Sequence, residues 1–505
     1  MEENINSEEN EEEEIESLNI LPSQVAHFKK VLNILQNEVG YLDVSLFGSG
    51  KSFCALAVAI TFKMGLILVA PKTAIPQWRR IAKKYGVHIY TALTYNALRG
   101  TEKGGVSHDL LTRNGSEFIP TETIEQCARS GLLIVYDECH YLKNENSQLE
   151  AAAAISKEAV RLSRMGCNVR IAALSATPAD KKENITNLFR ILGIVLEPNL
   201  YRYNRSTKKY VLEGLQEAIN KCNRYDRDNT FHIICRSVNK STSKLICHEL
   251  YTRVLKNVIS SSMPKPDNGQ EQDIKNIFAI MPKEDVERMK AGALLFASAT
   301  SYRPETGMVN YASMDWGKIT ESRREIDSAK VATVCRLARE ELDRDKNCKV
   351  LLYFTYKRDL RKAKELLEEY GCLILNGEIT KDEDRVQIME AFQKPDTEYR
   401  VFISNPKVGG ASVSLDDLYG GFKRHTFIAP SYNFIDEWQC CGRSNRLSTK
   451  SDSSVKFVYS KAFPYESSIL QSIAEKSQVA RDMSQDLTIL FPGEIESIIE
   501  GEDDM

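Results

Sequence analysis

The sequence predicts an α/β protein of two doubly wound parallel-sheet domains, with a mainly helical insertion between them and acidic tails at both ends. Three observations predict it. Short, continuously apolar runs recur early in the chain: residues 65–70, 132–136 and 169–174. Runs of that length, apolar on both pleat faces, suit parallel strands covered by helices on two sides. A second series starts near Lys330, with residues 349–354, 373–375, 400–404 and 426–429 as its strands. Between the series, residues 201–325 show no strand–helix alternation.

In order, the expected parts are an acidic, disordered tail (1–20), a first domain (21–200), an insertion or linker (201–325), a second domain (326–465) and a helical extension with an acidic tail (466–505). A strand over 41–46 leads into a helix over 53–62. The Ala-rich stretch 149–164 reads as a covering helix. Residues 357–370 read as another, with Leu360, Ala363, Leu366 and Leu367 on one face. Residues 260–270 carry the Ser, Pro, Asn and Gly of an exposed loop.

Composition is that of a globular chain, 42% hydrophobic and 27% charged over 505 residues. No apolar run approaches the ~20 residues of a membrane helix. The acidic start does not read as a secretory or mitochondrial signal, so an intracellular protein without membrane partners is expected. The twelve cysteines show no Cys-x-x-Cys spacing, which favours reduced, buried thiols over zinc. Residues 1–20 hold nine Glu and residues 486–505 hold seven acidic residues, neither with any Lys or Arg. The remaining body carries a net charge of +13, and residues 201–260 are basic, with 12 Lys or Arg against five acidic residues. Such a body suits a polyanion. The acidic ends then serve either as solubilising tails or as competitors for the same basic surface.

Three motifs carry chemistry. Gly48-Ser49-Gly50-Lys51-Ser52 stands between the expected strand and helix. That is the context of a phosphate cradle: backbone N–H groups and the helix N-terminus hold the phosphates, Lys51 meets the outer ones and Ser52 ligates Mg²⁺. Ser45 occupies the place of the first glycine of the full pattern. Asp137-Glu138-Cys139-His140 ends the run 132–136. There Asp137 would hold Mg²⁺, Glu138 would orient and deprotonate an attacking water, and His140 would report the nucleotide state to its neighbours. In Trp438-Gln-Cys-Cys-Gly-Arg-Ser-Asn-Arg446, Arg443 and Arg446 share a helix face with spacing three, and across a cleft they would neutralise a transferring phosphoryl group.

Together these residues resemble superfamily 2 helicases and translocases of the DExH type, which have two RecA-like domains. The resemblance runs from about Leu21 to Lys476 and is weak across 201–325. It implies ATP and Mg²⁺ as cofactors, with Gln24 of Leu21-Pro-Ser-Gln24 reading adenine. Pro71, Lys72 and Thr73, with Trp78, match an element that lies on the nucleic-acid backbone, and Thr94 sits where a second such contact is expected. Ser175-Ala-Thr177 matches the element that couples hydrolysis to domain movement. Phe354-Thr355, Gly410 through Ser414-Leu-Asp-Asp417, and Gln439 through Arg446 resemble the later motifs in order. Within the superfamily, Pro71-Lys72 with Trp78, and Leu142-Lys-Asn144 after the acidic corner, lean toward the Swi/Snf-like side. Ser414-Leu-Asp-Asp417, Pro430-Ser-Tyr432 and Gly442-Arg443 look most like helicases of large double-stranded DNA viruses. The implied function is an ATP-dependent motor that moves on or remodels DNA or RNA through sequence-independent backbone contacts, in viral transcription or genome handling. The alternative is an ATP-switched factor that binds nucleic acid, a polymerase or a transcription complex without processive unwinding. A viral chain would work in the host cytoplasm or the virion.

Overall fold

The computed structural model describes residues 18–499, apart from 102–103, 201, 207–208, 212, 227–242, 266, 301–312, 411–412, 462–464, 487–489 and 496. Residues 1–17 and 500–505, where much of the expected acidic tails falls, lie outside the described residues.

The strands are β1 (Gly40–Asp43), β2 (Gly65–Val69), β3 (Ile89–Leu93), β4 (Leu111–Asn114), β5 (Glu117–Pro120), β6 (Leu132–Asp137), β7 (Val169–Leu174), β8 (Arg202–Asn204), β9 (Lys209–Val211) and β10 (Ser260–Ser261). They continue with β11 (Gln272–Ala279), β12 (Lys349–Tyr353), β13 (Cys372–Leu375), β14 (Val401–Ser404), β15 (Arg424–Ile428), β16 (Ser453–Ser460) and β17 (Ser497–Ile499). They build two large parallel sheets, of order β10-β1-β7-β6-β2-β3 and β13-β14-β12-β15-β16-β11-β17, plus the small antiparallel hairpins β4-β5 and β8-β9.

The apolar runs explain the layering. Ile67, Val69, Ile134 and Tyr136 enter one core cluster, while Leu66, Leu68, Leu133 and Val135 enter another on the opposite face. In the second domain Leu351, Tyr353 and Phe402 face one core, and Val350, Leu352 and Ile403 the other. Period-two alternation between two apolar cores is what a sheet covered on both faces requires.

The insertion does not form a separate unit. Ser260 and Ser261 pair with Leu42 and Asp43, so these two residues add the sixth strand to the first sheet. From Gln272 to Ala279 it forms an eight-residue parallel ladder with β16, inside the second sheet. The expected boundary at 325/326 therefore falls within the helix Trp316–Ala329, which packs with Lys283–Ala299 as a pair of helices attached to the second domain. Strand β11 was hidden because four of its first five residues, Gln272, Asp273, Lys275 and Asn276, are polar and show no period-two alternation. The C-terminal part also departs from a plain tail: β17 adds an edge strand beside β11.

The helix Tyr465–Met483 joins the two domains. Its Ile469, Ile473 and Ala480 enter a core of the second domain, while Val479 and Met483 enter a core of the first. His248 and Asp482 meet at 3.0 Å, and Gln485 Nε2 donates to Ser260 O at 2.8 Å. No helix among the described residues is long and apolar enough to cross a membrane.

Candidate functional site

The site forms at the carboxyl ends of β1, β6 and β7, the side where open parallel sheets bind ligands. Beyond β1, Gly48 and Gly50 hold φ of +69° and +96°, a region that favours glycine, and Gly50 caps the helix Lys51–Phe62. Lys51 Nζ donates to Ser45 O at 2.9 Å and Leu46 O at 3.0 Å, so its ammonium spans the mouth of the loop. Gln24 Nε2 donates to Ser49 O at 2.8 Å, and its Oε1 accepts from Leu21 N at 3.1 Å. A Cβ at Gly50 would meet Gln24 Nε2 at 2.3 Å, so Gln24 clamps the outside of the loop.

Ser45 does more than fill the place of a glycine. Its Oγ donates to Asp43 Oδ1 and accepts from Met263 N at 2.8 Å. Asp43 Oδ2 lies 3.1 Å from His27 Nε2, and His27 Nδ1 lies 2.9 Å from Ser261 Oγ. Burial alone would raise the Asp43 carboxyl, but His27 beside it holds it below the usual value. This buried chain ties the start of the phosphate loop to the helix Pro22–Asn37 and to β10. Sequence reading missed His27, Asp43, Ser261 and Met263. The available signal was Asp43, a carboxylate two residues before Ser45 in a strand expected to be buried. Ser45→Gly removes the hydroxyl and leaves Met263 N without that acceptor. The expected result is a loss of roughly 1–3 kcal/mol of stability and a raised KM for ATP, read from denaturant melts and steady-state kinetics.

The acidic corner closes the other wall. Asp137 ends β6, accepts from Trp78 Nε1 at 2.8 Å, and its backbone carbonyl accepts from Tyr95 OH at 2.7 Å. Burial, then the neighbouring Glu138, holds the Asp137 carboxyl above its usual range. Glu138 turns the chain with φ of +55°. Its Oε2 lies 3.2 Å from His140 Nδ1 and 3.2 Å from Gln439 Nε2. Burial opposes ionisation of Glu138, but His140, Lys51 and Arg443 outweigh it and hold the carboxylate low. His140 Nδ1 is also 3.2 Å from Ser175 Oγ, and its ring stacks on Tyr141, which stacks on Tyr95. His140 thus touches the carboxylate corner, the Ser175 segment and, at 3.5 Å, Gln439 of the second domain.

The second domain supplies the roof. The helix Phe434–Cys441 carries Gln439, and the turn after it carries Arg443 and Arg446. Arg443 Nε donates to Gln439 O at 3.0 Å and Nη1 to Val413 O at 3.2 Å; Arg446 Nη2 donates to the same carbonyl at 2.6 Å. Burial lowers both guanidinium pKa values, that of Arg446 to about 10. A Cβ at Gly442 would lie 2.5 Å from the Phe47 ring, so the two domains meet there through the absence of a side chain. Gly442→Ala is expected to hold the domains apart, lowering ATP turnover and costing roughly 1–3 kcal/mol, read by kinetics and thermal melts together.

Phosphate loop, acidic corner and arginines converge on one cleft of about 250 Å³, lined by Gly48, Gly50, Lys51, Ser52, Asp137, Glu138, Arg443 and Arg446 among others. Ser52 and Asp137 supply the hard oxygen donors that suit Mg²⁺, and both line the cleft. The residues therefore fit the metal.

The remaining expected residues scatter. Ser175 and Thr177 are fully buried. Gly410 is buried too, and a Cβ there would crowd Pro406 O and Asp436 O, so it packs the helix Phe434–Cys441. Ser414 Oγ donates to Asp416 Oδ1 at 2.7 Å. Thr94 caps the short helix Tyr95–Arg99 through Ala97 N. Thr355 lines a small pocket with Arg323, Tyr356 and Tyr432. Pro71 and Thr73 are half-buried; Lys72 is exposed, and its Nζ lies 3.4 Å from Thr380 O of the second domain.

Glu437, on the inward side of the same helix, accepts from Ser431 N at 2.6 Å and Ser431 Oγ at 2.7 Å. Burial pushes its pKa up to about 7. A carboxyl raised in the folded state stabilises fully below its unfolded pKa, near 4.5, and that stabilisation is lost as pH rises through about 7. Glu437→Gln is therefore expected to raise the melting temperature at pH 8, by a term on the order of 3 kcal/mol, and to change little at pH 4.

No family model matches the chain. It is 22% identical over 479 residues, 91% of its own length and 82% of the other's, to a provisionally named ATP-dependent RNA helicase of Acanthamoeba polyphaga mimivirus. Among solved structures, a Sulfolobus solfataricus SWI2/SNF2 ATPase core in complex with double-stranded DNA aligns over 94% of this chain and 99% of that one, with 13% identity and a TM-score of 0.30.

Proposed function

We infer that this chain, with the two parallel-sheet domains and motif order of superfamily 2 helicases and a viral helicase relative, is an ATP-driven motor on nucleic acid. One observation carries the reading: Gln439, Arg443 and Arg446 of the second domain reach the phosphate loop and carboxylate corner of the first. A cleft built by two domains makes their closure part of the chemistry.

The backbone N–H groups beside Gly50 and the Lys51 ammonium hold the phosphates. Bound at Ser52 and Asp137, magnesium would neutralise phosphate charge. Glu138, kept ionised by His140, Lys51 and Arg443, orients the attacking water and takes its proton. Arg443 and Arg446 stabilise charge on the transferring group. When the domains part, the Gln439–Glu138 bond breaks and His140 loses its second-domain neighbour, which links the chemical state to the Ser175–Thr177 segment. Lys72, Thr73, Thr94 and Thr355 are proposed to carry backbone contacts to the polymer.

ATP turnover is to be measured with single- and double-stranded DNA and with single- and double-stranded RNA. Stimulation by at least one polymer, falling steeply with salt, is expected. No stimulation by any of the four would overturn the motor reading. A place in viral transcription or genome handling, with a polymerase as partner, is the finer form of the proposal and is tested by pull-down of the full chain from infected cells.

A further inference from the structure

We propose that Thr449, anchored on the buried carboxylate of Asp416, is a positioning residue for Arg446: it fixes the turn 446–449 and so sets where the Arg446 side chain leaves the backbone beside the phosphate loop. This rests on the motor reading above.

The turn reads Arg-Leu-Ser-Thr, and its two middle residues, Leu447 and Ser448, are exposed. Thr449 is only 2% exposed and closes the turn twice. Its backbone N–H donates to Arg446 O at 3.0 Å, and its Oγ1 accepts from Arg446 N at 2.7 Å. A hydroxyl has one proton to give, and that of Thr449 goes to Asp416 Oδ2 at 3.2 Å. Ser448 Oγ donates to the same oxygen at 2.7 Å, and Ser414 Oγ donates to Oδ1 at 2.7 Å. A carboxylate only accepts, so the direction of the chain is set: Arg446 N–H to the Thr449 hydroxyl, and the Thr449 hydroxyl to Asp416. Hydrogen bonds to a carboxylate are also stronger than those between neutral groups.

Asp416 is fully buried and belongs to the segment that holds both arginines. Val413 O accepts from Arg443 Nη1 at 3.2 Å and from Arg446 Nη2 at 2.6 Å, and Leu415 N donates to Arg443 O at 3.1 Å. The turn itself lies against the first domain: a Cβ at Gly48 would stand 3.6 Å from Arg446 Cβ and Cγ. A shift of the turn therefore moves Arg446 across the loop that cradles the phosphates, and a misplacement of about 1 Å can cost about 10²-fold in rate. Ser448 provides the internal comparison. It gives Asp416 a bond of the same kind, but among the described residues no hydrogen bond joins it to Arg446.

The full chain is to be assayed for single-turnover and steady-state ATP hydrolysis, with a thermal melt of each variant. Thr449→Val is expected to lower kcat by about 10–100-fold with little change in the KM for ATP. Thr449→Ser keeps the hydroxyl and should run near the wild-type rate, as should Ser448→Ala. In an Arg446→Ala background, Thr449→Val should lower turnover no further. Equal losses from Thr449→Val and Ser448→Ala, a slow Thr449→Ser, or a full additional loss in the Arg446→Ala background would each assign Thr449 to the stability of the turn and overturn the proposal. If Thr449→Val does not fold, Thr449→Ala takes its place in the same comparisons. An active wild type with Thr449→Val unchanged overturns the positioning role and leaves the motor reading standing. A wild type without ATP turnover removes both.

Discussion

Glu138→Gln is expected to lower ATP turnover by roughly 10²–10⁴-fold, the usual contribution of a positioned general base, while ATP still binds. The amide keeps the shape of the side chain and an oxygen for His140 and Gln439, which now meet at Glu138 Oε2. What it removes is the proton acceptor and the negative charge. Removing that charge also leaves Lys51, Arg443 and Arg446 less compensated, which favours bound triphosphate. Fluorescent-nucleotide binding beside single-turnover hydrolysis separates the two effects. Lys51→Ala is the complementary case: it deletes the ammonium at the loop mouth, so binding and turnover should fall together. Retained turnover in Glu138→Gln would remove Glu138 from the chemistry and leave it as a helper of His140.

Arg443→Ala is expected to cost roughly 10³–10⁵-fold in turnover, the range for an arginine that meets the transferring phosphoryl group. Arg443 is 4% exposed and also holds Gln439 O and Val413 O, so part of the loss could come from a disturbed turn. Two comparisons isolate the chemistry. Val413 O keeps Arg446 as a donor, which limits the structural loss at that carbonyl. Arg443→Lys retains charge without the planar fork and should restore only a fraction of the rate. Thermal melts run beside the kinetics; a large drop in melting temperature with normal turnover would assign Arg443 to structure alone.

Several parts of this arrangement were legible along the chain. The apolar runs that became β2, β6 and β7 announce themselves because a strand buried on both faces needs no polar partner position. The loop glycines do so because positive φ excludes most other residues. Asp137, Glu138, Arg443 and Arg446 stand out as residue types that suit a phosphate site, and the fold brings all four to one cleft. Other parts were not. β10 is two residues long, and four of the first five residues of β11 are polar without period-two alternation, so neither stands out from a loop. Ser45 looked like a tolerated departure; only the fold brings Asp43, His27 and Met263 to it, from 2, 18 and 218 positions away.

The sequence by itself determined two parallel-sheet domains and the kinds of side chain that line the cleft between them, because strand burial and a tight glycine turn are both local demands on residue type. Tertiary structure alone decided how the middle segment divides between the sheets, how the helix Tyr465–Met483 ties the domains together, and that Gln439 meets Glu138 across 301 positions. Those are contacts between distant segments, set by packing of whole domains, and no local pattern of residues specifies them.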